Sequence, residues 1–498
     1  MSLRRIAEFL MKRPWLLVLI VVLVNFIMRI IHADTSSIYI DEGQTMFQVK
    51  RSLTEIIEEY VKKQQNAPLY FVVLHFWVKI FGLSIFSVRA FSVLMMSLTS
   101  GVFFLLGRKL INLEFAIASS LFFLGVSDIM NYAHEARGYA TLSFFTVSSF
   151  YLLLDLLKKP RLLPAALLFA ANTALLYTHY LTIYVFPAQA IVALVWFLTK
   201  KDKKALLYYT LSQVAVVLVF LPWLNVVFDV MPEEGSFWIP EPTWNLLKNT
   251  YYYLIPGRAR THVTFAFLLI SLLWYVVKQI LGKTNKTAEV VIVLCFFLWA
   301  FLPVMANYFV GFHVPVFTRK YTFYATFGFI LFFTWAVFNL PVGKWFRWGI
   351  ILFCSVLVFT KLKWTSPKTE NWKAAVEYVK EHKTDETLVF TQAHYVFRGF
   401  LPYYDFEAFR DHPQPYAACE DELIYFRSSK EPLINLINKF HPEKVILIRS
   451  HWKGDDPKGE VKQYLDEHWF LVADSPKFSG VQVYIYEPPN SSQGEAGS

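Results

Sequence analysis

Residues 14–43, PWLLVLIVVLVNFIMRIIHADTSSIYIDEG, join an apolar run to a pair of adjacent carboxylates, and this junction decides how the rest of the chain is read. The run Pro14–Ile31 follows the basic residues Arg4, Arg5, Lys12 and Arg13. A secretory signal peptide has the same order of charge and apolarity, but it is shorter and ends at a small-residue cleavage site, which is lacking here. The run is therefore read as a retained first membrane span, with Asn25 and Arg29 toward its far end.

Similar runs follow at Ser84–Leu106, Leu113–Met130, Tyr139–Leu157, Leu162–Tyr177, Leu181–Leu198, Ala205–Val227, Val263–Ile280, Ala288–Val310, Tyr321–Leu340 and Trp348–Leu362. Each approaches the roughly 20 apolar residues that cross the hydrocarbon core, so a polytopic α-helical membrane protein with about eleven transmembrane helices is expected. Composition agrees: of 498 residues 55% are hydrophobic and only 17% charged, against about 25% charged in soluble domains. The apolar runs stop at Leu362. The division is a transmembrane domain over 1–362, a small α/β domain over 363–490 and a disordered tail over 491–498.

The net charge of +10 is not a nucleic-acid signal, because the basic residues sit in short clusters between apolar runs. Those clusters set the orientation. Arg108 and Lys109, Lys158 to Arg161, Lys200 to Lys204, Lys278 to Lys286, and Lys344 with Arg347 all fall on the side of the basic N-terminus, which is therefore cytoplasmic. The C-terminal domain is then outside. Leu69–Phe81, about 13 residues, is too short to cross and reads as re-entrant or interfacial. The first external loop thus runs from His32 to Leu83. Within it Ser52 and Glu55 form a capping-box pattern ahead of Leu53, Ile56, Ile57, Tyr60 and Val61, an amphipathic helix for the outer surface.

Beyond Lys363 the pattern alternates. Asn371 caps a helix bearing Trp372, Val376 and Val379, and β-rich runs lie at Thr387–Thr391, Val445–Arg449 and Val481–Tyr486. Helical patterns at Pro432–Phe440 and Gly459–Glu467 lie among them, which argues an α/β domain. There is no internal repeat and no Gly-rich phosphate loop. The three cysteines are too few for a disulfide framework.

Candidate chemistry gathers at the outer ends of the spans. Asp41 and Glu42 follow the first; locally, Asp41 would serve as the N-cap of a helix starting at Gly43. His134, Glu135 and Arg137 sit in the short link between the third and fourth spans, and Arg319-Lys320-Tyr321 heads the tenth. Arg89 lies near the outer end of the second. Singly, Glu135 and Arg137 can simply pair, and the cations can snorkel to lipid phosphates. Together they place carboxylates and cations at one depth on one face. That is the equipment for moving a group off a membrane-embedded phosphate, with cations to neutralise the leaving phosphate and a carboxylate to remove the acceptor's proton.

The runs NAPLYFVVLHFWVKIFGLSIFSVRAFSVL (66–94), YAHEARGYA (132–140), LLYTHYL (175–181), RKYTFYA (319–325), NWKAAVEYV (371–379) and VQVYIY (481–486) resemble the C-type membrane glycosyltransferases. The nearest resemblance is to the group holding protein O-mannosyltransferases, the lipid A aminoarabinose transferase and rhizobial lipopolysaccharide sugar transferases. The resemblance implies inverting transfer of a sugar from a polyprenyl-phosphate donor to a glycan, lipid or protein acceptor, at a prokaryotic plasma (inner) membrane. It implies Asp41 as general base with Glu42 beside it, and Arg137, Arg319, Lys320 and Tyr321 near the donor phosphate, to which the clustering of charges adds Arg89. Asn66, His134, Glu135, Tyr139 and His179 would line the substrate pocket. Ala67-Pro68 stands where many relatives have two prolines, and His134 where they often have Gln.

The resemblance implies a metal-independent or weakly metal-dependent transferase, with no cofactor required. The histidines His75, His134, His179, His262 and His313 lack zinc-type spacing, and Asp41, Glu42, Asp128 and Glu135 are the residues that in principle hold a hard cation. The rival readings are a lipid-linked-sugar flippase or transporter and a polysaccharide ligase. A flippase would place ionisable groups deep in paired, broken spans, and a ligase would carry its long loop late in the chain.

Overall fold

A computed structural model describes residues 13–63, 66–229, 239–252, 258–280, 287–362, 364, 369–474, 476 and 478–489. Arg4, Arg5, Lys12, Lys283, Lys286 and the tail 491–498 lie outside them. The chain forms two compact units. The first is Met1–Ala33, Ser52–Trp77 and Arg89–Trp364; the second is Asp34–Arg51, Val78–Val88 and Thr365–Ser498. The loop read as His32–Leu83 thus contributes to both.

The first unit is helical, and helical structure stands at each expected span. Six helices among the described residues are long and apolar enough to cross a membrane: Ile85–Leu110, Tyr139–Lys158, Tyr180–Lys200, Lys203–Asp229, His262–Gln279 and Glu289–Val310. Pro14–Ile30, Leu162–Thr178 and Ala325–Phe338 are apolar but shorter. The expected single run Leu113–Met130 is instead two helices, Leu113–Gly125 and Ser127–Ala133, set at 65°. Val126 breaks the run with an extended backbone, φ −68° and ψ 120°. The break is packed: a Cβ on Gly125 would come within 2.9 Å of the Phe359 ring.

Two devices hold these helices together. Aromatic rings interlock, as where Phe150 stacks on Trp299 at 4.0 Å while the Trp299 indole donates to the Tyr324 carbonyl at 2.9 Å. A buried amide and hydroxyl network also ties four helices: Ser149 bonds Asn172, whose Nδ2 donates to Gln189 at 2.9 Å and to Gln213 at 3.0 Å. Such interhelical bonds average only about 0.6 kcal/mol each in membranes, so their main effect is to set helix register. Lys203–Asp229 leaves Leu207, Leu211, Leu218 and Phe228 exposed, a face suited to lipid rather than water. This is an integral membrane protein.

The capping box also forms: Ser52 N–H donates to Glu55 at 3.0 Å and the Glu55 N–H to Ser52 at 3.3 Å. Leu53–Glu55 leads into a wider π-helical stretch, Ile56–Val61, which buries Ile56 and Val61. Glu58–Lys62 and Glu59–Lys63 pair on its outer face.

The second unit is built on a five-stranded sheet of order β2-β1-β3-β5-β4. The strands are β1 Thr387–Gln392, β2 Ile424–Arg427, β3 Lys444–Arg449, β4 Phe470–Ala473 and β5 Gln482–Glu487. β1, β2 and β3 run parallel, and β5 returns antiparallel between β3 and β4. All six residues of β1 are buried, as expected of an interior parallel strand. Asn371 caps the helix Trp372–His382 through its side chain at 3.3 Å, in line with the sequence reading. Packed into the same unit is the helix Ile40–Val49.

Candidate active site

The carboxylates lie in the second unit and the cations in the first. Asp41 and Glu42 occupy the first turn of Ile40–Val49. The expected N-cap role of Asp41 is corrected by this geometry, because the helix starts three residues earlier than Gly43, with Tyr39 as N-cap residue. Tyr39 supplies no side-chain cap. Asp41 is half-buried, whereas Glu42 is fully buried, so of the two only Asp41 has surface to offer an acceptor. Acids in a helix's first turn face the positive end of its dipole.

The N-terminus of this helix is capped from far along the chain. The Ile40 N–H donates to Glu370 Oε2 at 2.9 Å, and the Trp372 indole N–H donates to the same oxygen at 2.6 Å. Glu370 Oε1 lies 2.8 Å from His451 Nε2. This hydrogen bond holds the His451 imidazole above its usual range, and the Asp41 charge pushes the same way. Glu370 and His451 were not legible as site residues. The sequence signal was confined to Glu370 standing beside the NWKAAVEYV motif.

In the first unit, His179 is the centre on which three segments converge. Its ring meets Tyr321 edge-on at 5.0 Å and Tyr139 at 6.4 Å. Burial, with the charges of Arg137 and Lys320, lowers its pKa to about 4, so it is neutral at physiological pH. Arg137, Lys320 and Tyr321 are all half-buried. Next to His179, Tyr180 donates to the Asn66 carbonyl at 2.9 Å, and Tyr324 donates to the Leu181 carbonyl at 2.9 Å. Asn66, Arg137, Tyr139, His179, Lys320 and Tyr321 therefore belong to one neighbourhood.

The remaining candidates make contacts within the first unit. Arg89 is fully buried, donating to the Ala33 carbonyl at 3.0 Å, so it is not a snorkelling cation at the outer end of its span. Arg319 forms a two-pronged pair with Asp128. His134 Nε2 meets the Arg29 carbonyl at 2.7 Å, and the Glu135 carbonyl accepts from Ser92 at 2.8 Å. Both His134 and Glu135 are buried.

Residues 65–225 match the family described as dolichyl-phosphate-mannose-protein mannosyltransferase. ArnT from Cupriavidus metallidurans in the apo state aligns at TM-score 0.58 and 12% identity, covering 95% of this chain and 98% of that one. The same protein bound to undecaprenyl phosphate aligns at TM-score 0.55 and 11% identity, covering 94% and 97%. The chain has the fold of a C-type membrane glycosyltransferase. No curated protein sequence matches it. As a C-type fold, it bears out the resemblance carried by the sequence motifs.

Proposed function

We propose that this protein is a membrane glycosyltransferase that moves a sugar from a polyprenyl-phosphate donor to an extracytoplasmic glycan, lipid or protein acceptor. The observation that carries this reading is the set of cations gathered round a neutral His179, in a fold shared with a structure bound to undecaprenyl phosphate. Orientation follows the Lys and Arg clusters, with the N-terminus in the cytoplasm of a prokaryotic cell and the C-terminal domain outside.

In the proposed reaction the acceptor oxygen attacks the anomeric carbon, the carbon–oxygen bond to phosphate breaks, and polyprenyl phosphate leaves with the bonding electrons. The acceptor's proton passes to Asp41. The phosphate is a stable anion, so no general acid is needed, and the main task is neutralising charge, assigned to Arg137 and Lys320 with Tyr321 as a hydroxyl donor. No cofactor enters this reading. Transfer is expected to survive a chelator; loss reversed by Mn²⁺ or Mg²⁺ would restore a metal to the mechanism.

The test is to incubate membranes holding the protein with a radiolabelled polyprenyl-phosphate sugar. Release of polyprenyl phosphate that depends on acceptor supports transfer, whereas movement of intact donor across the bilayer supports the flippase. Asp41→Asn should lower transfer to a hydroxyl acceptor by about 10²- to 10⁴-fold while the protein still inserts. Full activity in that variant removes Asp41 as base.

A further inference from the structure

The segment bearing Asp41 is fixed on both sides by residues from the C-terminal part of the same unit. Before it, the Ile38 N–H donates to the Tyr403 hydroxyl at 2.8 Å, and the Ser37 hydroxyl accepts from the Lys373 N–H at 3.2 Å. After it, Gly43 lies so close to the Arg398 carbonyl that a Cβ would come within 1.9 Å of the oxygen. At the helix end Lys50 donates to the carbonyls of Phe409 and His412. Between these anchors Glu370 caps the Ile40 amide.

Glu370 is a costly choice for a cap. Its carboxylate is only 3% exposed, and burying an ionised group is unfavourable unless it is fully hydrogen-bonded. Three donors satisfy it here: the Ile40 amide, the Trp372 indole and the His451 ring. His451 reaches it from a left-handed backbone, φ 56°, a conformation that non-glycine residues adopt at an energetic cost. A side-chain hydroxyl at position 39 would cap the helix without a buried charge or a strained residue. The buried carboxylate and the strained histidine instead meet one residue away from Asp41.

We propose that Glu370 and His451 are positioning residues for Asp41, setting the start of the helix Ile40–Val49 and so aiming the carboxylate that receives the acceptor's proton. This rests on the reading of Asp41 as base. Neither residue touches substrate in this assignment; each acts through the helix.

The test uses the full chain in membranes or detergent. Glu370→Ala should lower kcat about a hundredfold at unchanged donor KM, and Glu370→Gln, which keeps an oxygen for Ile40 and Trp372, should retain most of the rate. In an Asp41→Asn background Glu370→Ala should cause no further loss; the same fold-loss in both backgrounds overturns the proposal. His451→Gln provides a milder variant should Glu370→Ala fail to fold, and the same double-variant comparison decides it. Hydrogen exchange of amides 40–49 needs no substrate. It should quicken in Glu370→Ala and stay slow in Asp41→Asn, and unchanged exchange in Glu370→Ala overturns the proposal. A wild-type chain that transfers no sugar would sink the functional reading and the proposal with it, whereas wild-type transfer with the same fold-loss in both backgrounds sinks the proposal alone.

Discussion

Arg319 grips both carboxylate oxygens of Asp128, with Nε 3.0 Å from Oδ2 and Nη2 against Oδ1. The pair pins the segment Arg319–Thr322 to the short arm of the bent helix pair, 191 residues earlier in the chain. The pair also gives Arg319 a structural partner within its own unit. Arg319 holds its segment in place, and its neighbours Lys320 and Tyr321 are the residues presented beside His179.

Removing one member should therefore cost stability as well as activity. Breaking a buried ion pair costs about 3–5 kcal/mol, and because Arg319 keeps 27% exposure, about 1–3 kcal/mol is expected for Asp128→Asn. Thermal unfolding in detergent measures it. Arg319→Lys should not restore the wild-type value, because an ammonium cannot reproduce the two-pronged geometry. Equal melting temperatures for Lys and Arg at position 319 would refute that role.

Gly43→Ala offers a sharper probe of the Asp41 segment. The added methyl meets backbone, the Arg398 carbonyl, and not a side chain that can swing aside. The helix Ile40–Val49 must move away from Phe397–Tyr404, with Asp41 chemically intact. Transfer should fall at least tenfold, roughly the effect of a sub-ångström misplacement of a reacting group. Wild-type turnover in this variant would mean that the placement of the helix is irrelevant to rate.

On the function proposed above, Arg137→Gln and Lys320→Gln should each weaken binding of a polyprenyl phosphate. A charge-assisted hydrogen bond is worth about 1.5–3 kcal/mol, so each loss should be about 10- to 100-fold, read by titrating the purified protein. Because both charges act on His179, removing either should also raise the His179 pKa, which NMR of ring-labelled histidine can follow. Binding that is indifferent to both substitutions would take the phosphate away from this neighbourhood.

The His451–Glu370 bond predicts a pH dependence with a definite sign. His451 takes up its proton more readily in the folded protein than at the usual value of about 6.5, because Glu370 accepts its hydrogen bond. Its contribution to stability is fully present below about pH 6.5 and is lost as pH rises through the elevated folded value. Glu370, the Asp41 charge and the Tyr395 ring are the groups that surround it. The melting-temperature gap between wild type and His451→Gln should be widest near pH 6 and narrow toward pH 9. A gap that widens with pH contradicts the assignment.

Much of the fold was legible because bilayer crossing demands long apolar runs, and those survive as helices from Pro14–Ile30 to Lys344–Phe359. The break at Val126 was not. It lacks a proline, and an apolar residue in extended conformation looks the same in sequence as one in a helix. In the soluble part β1, β3 and β5 showed their β-rich character, but β2 and β4 are only four residues each and escaped notice. The site divides along the same line. Carboxylates and cations near span ends stood out against apolar surroundings, whereas the bond from Ile40 to Glu370 joins positions 330 residues apart and leaves no periodic trace.

That separation has a bearing on biosynthesis. A ribosome adding about 5–20 residues per second reaches Ile40 roughly 20–80 s before His451. The strand β5, which pairs with both β3 and β4 in the sheet, comes later still. Through that interval the nascent chain carries its acidic turn without Glu370 and His451, the partners that hold the start of its helix. On the function proposed above, a chain that ends before β5 should transfer no sugar even where its membrane helices have inserted.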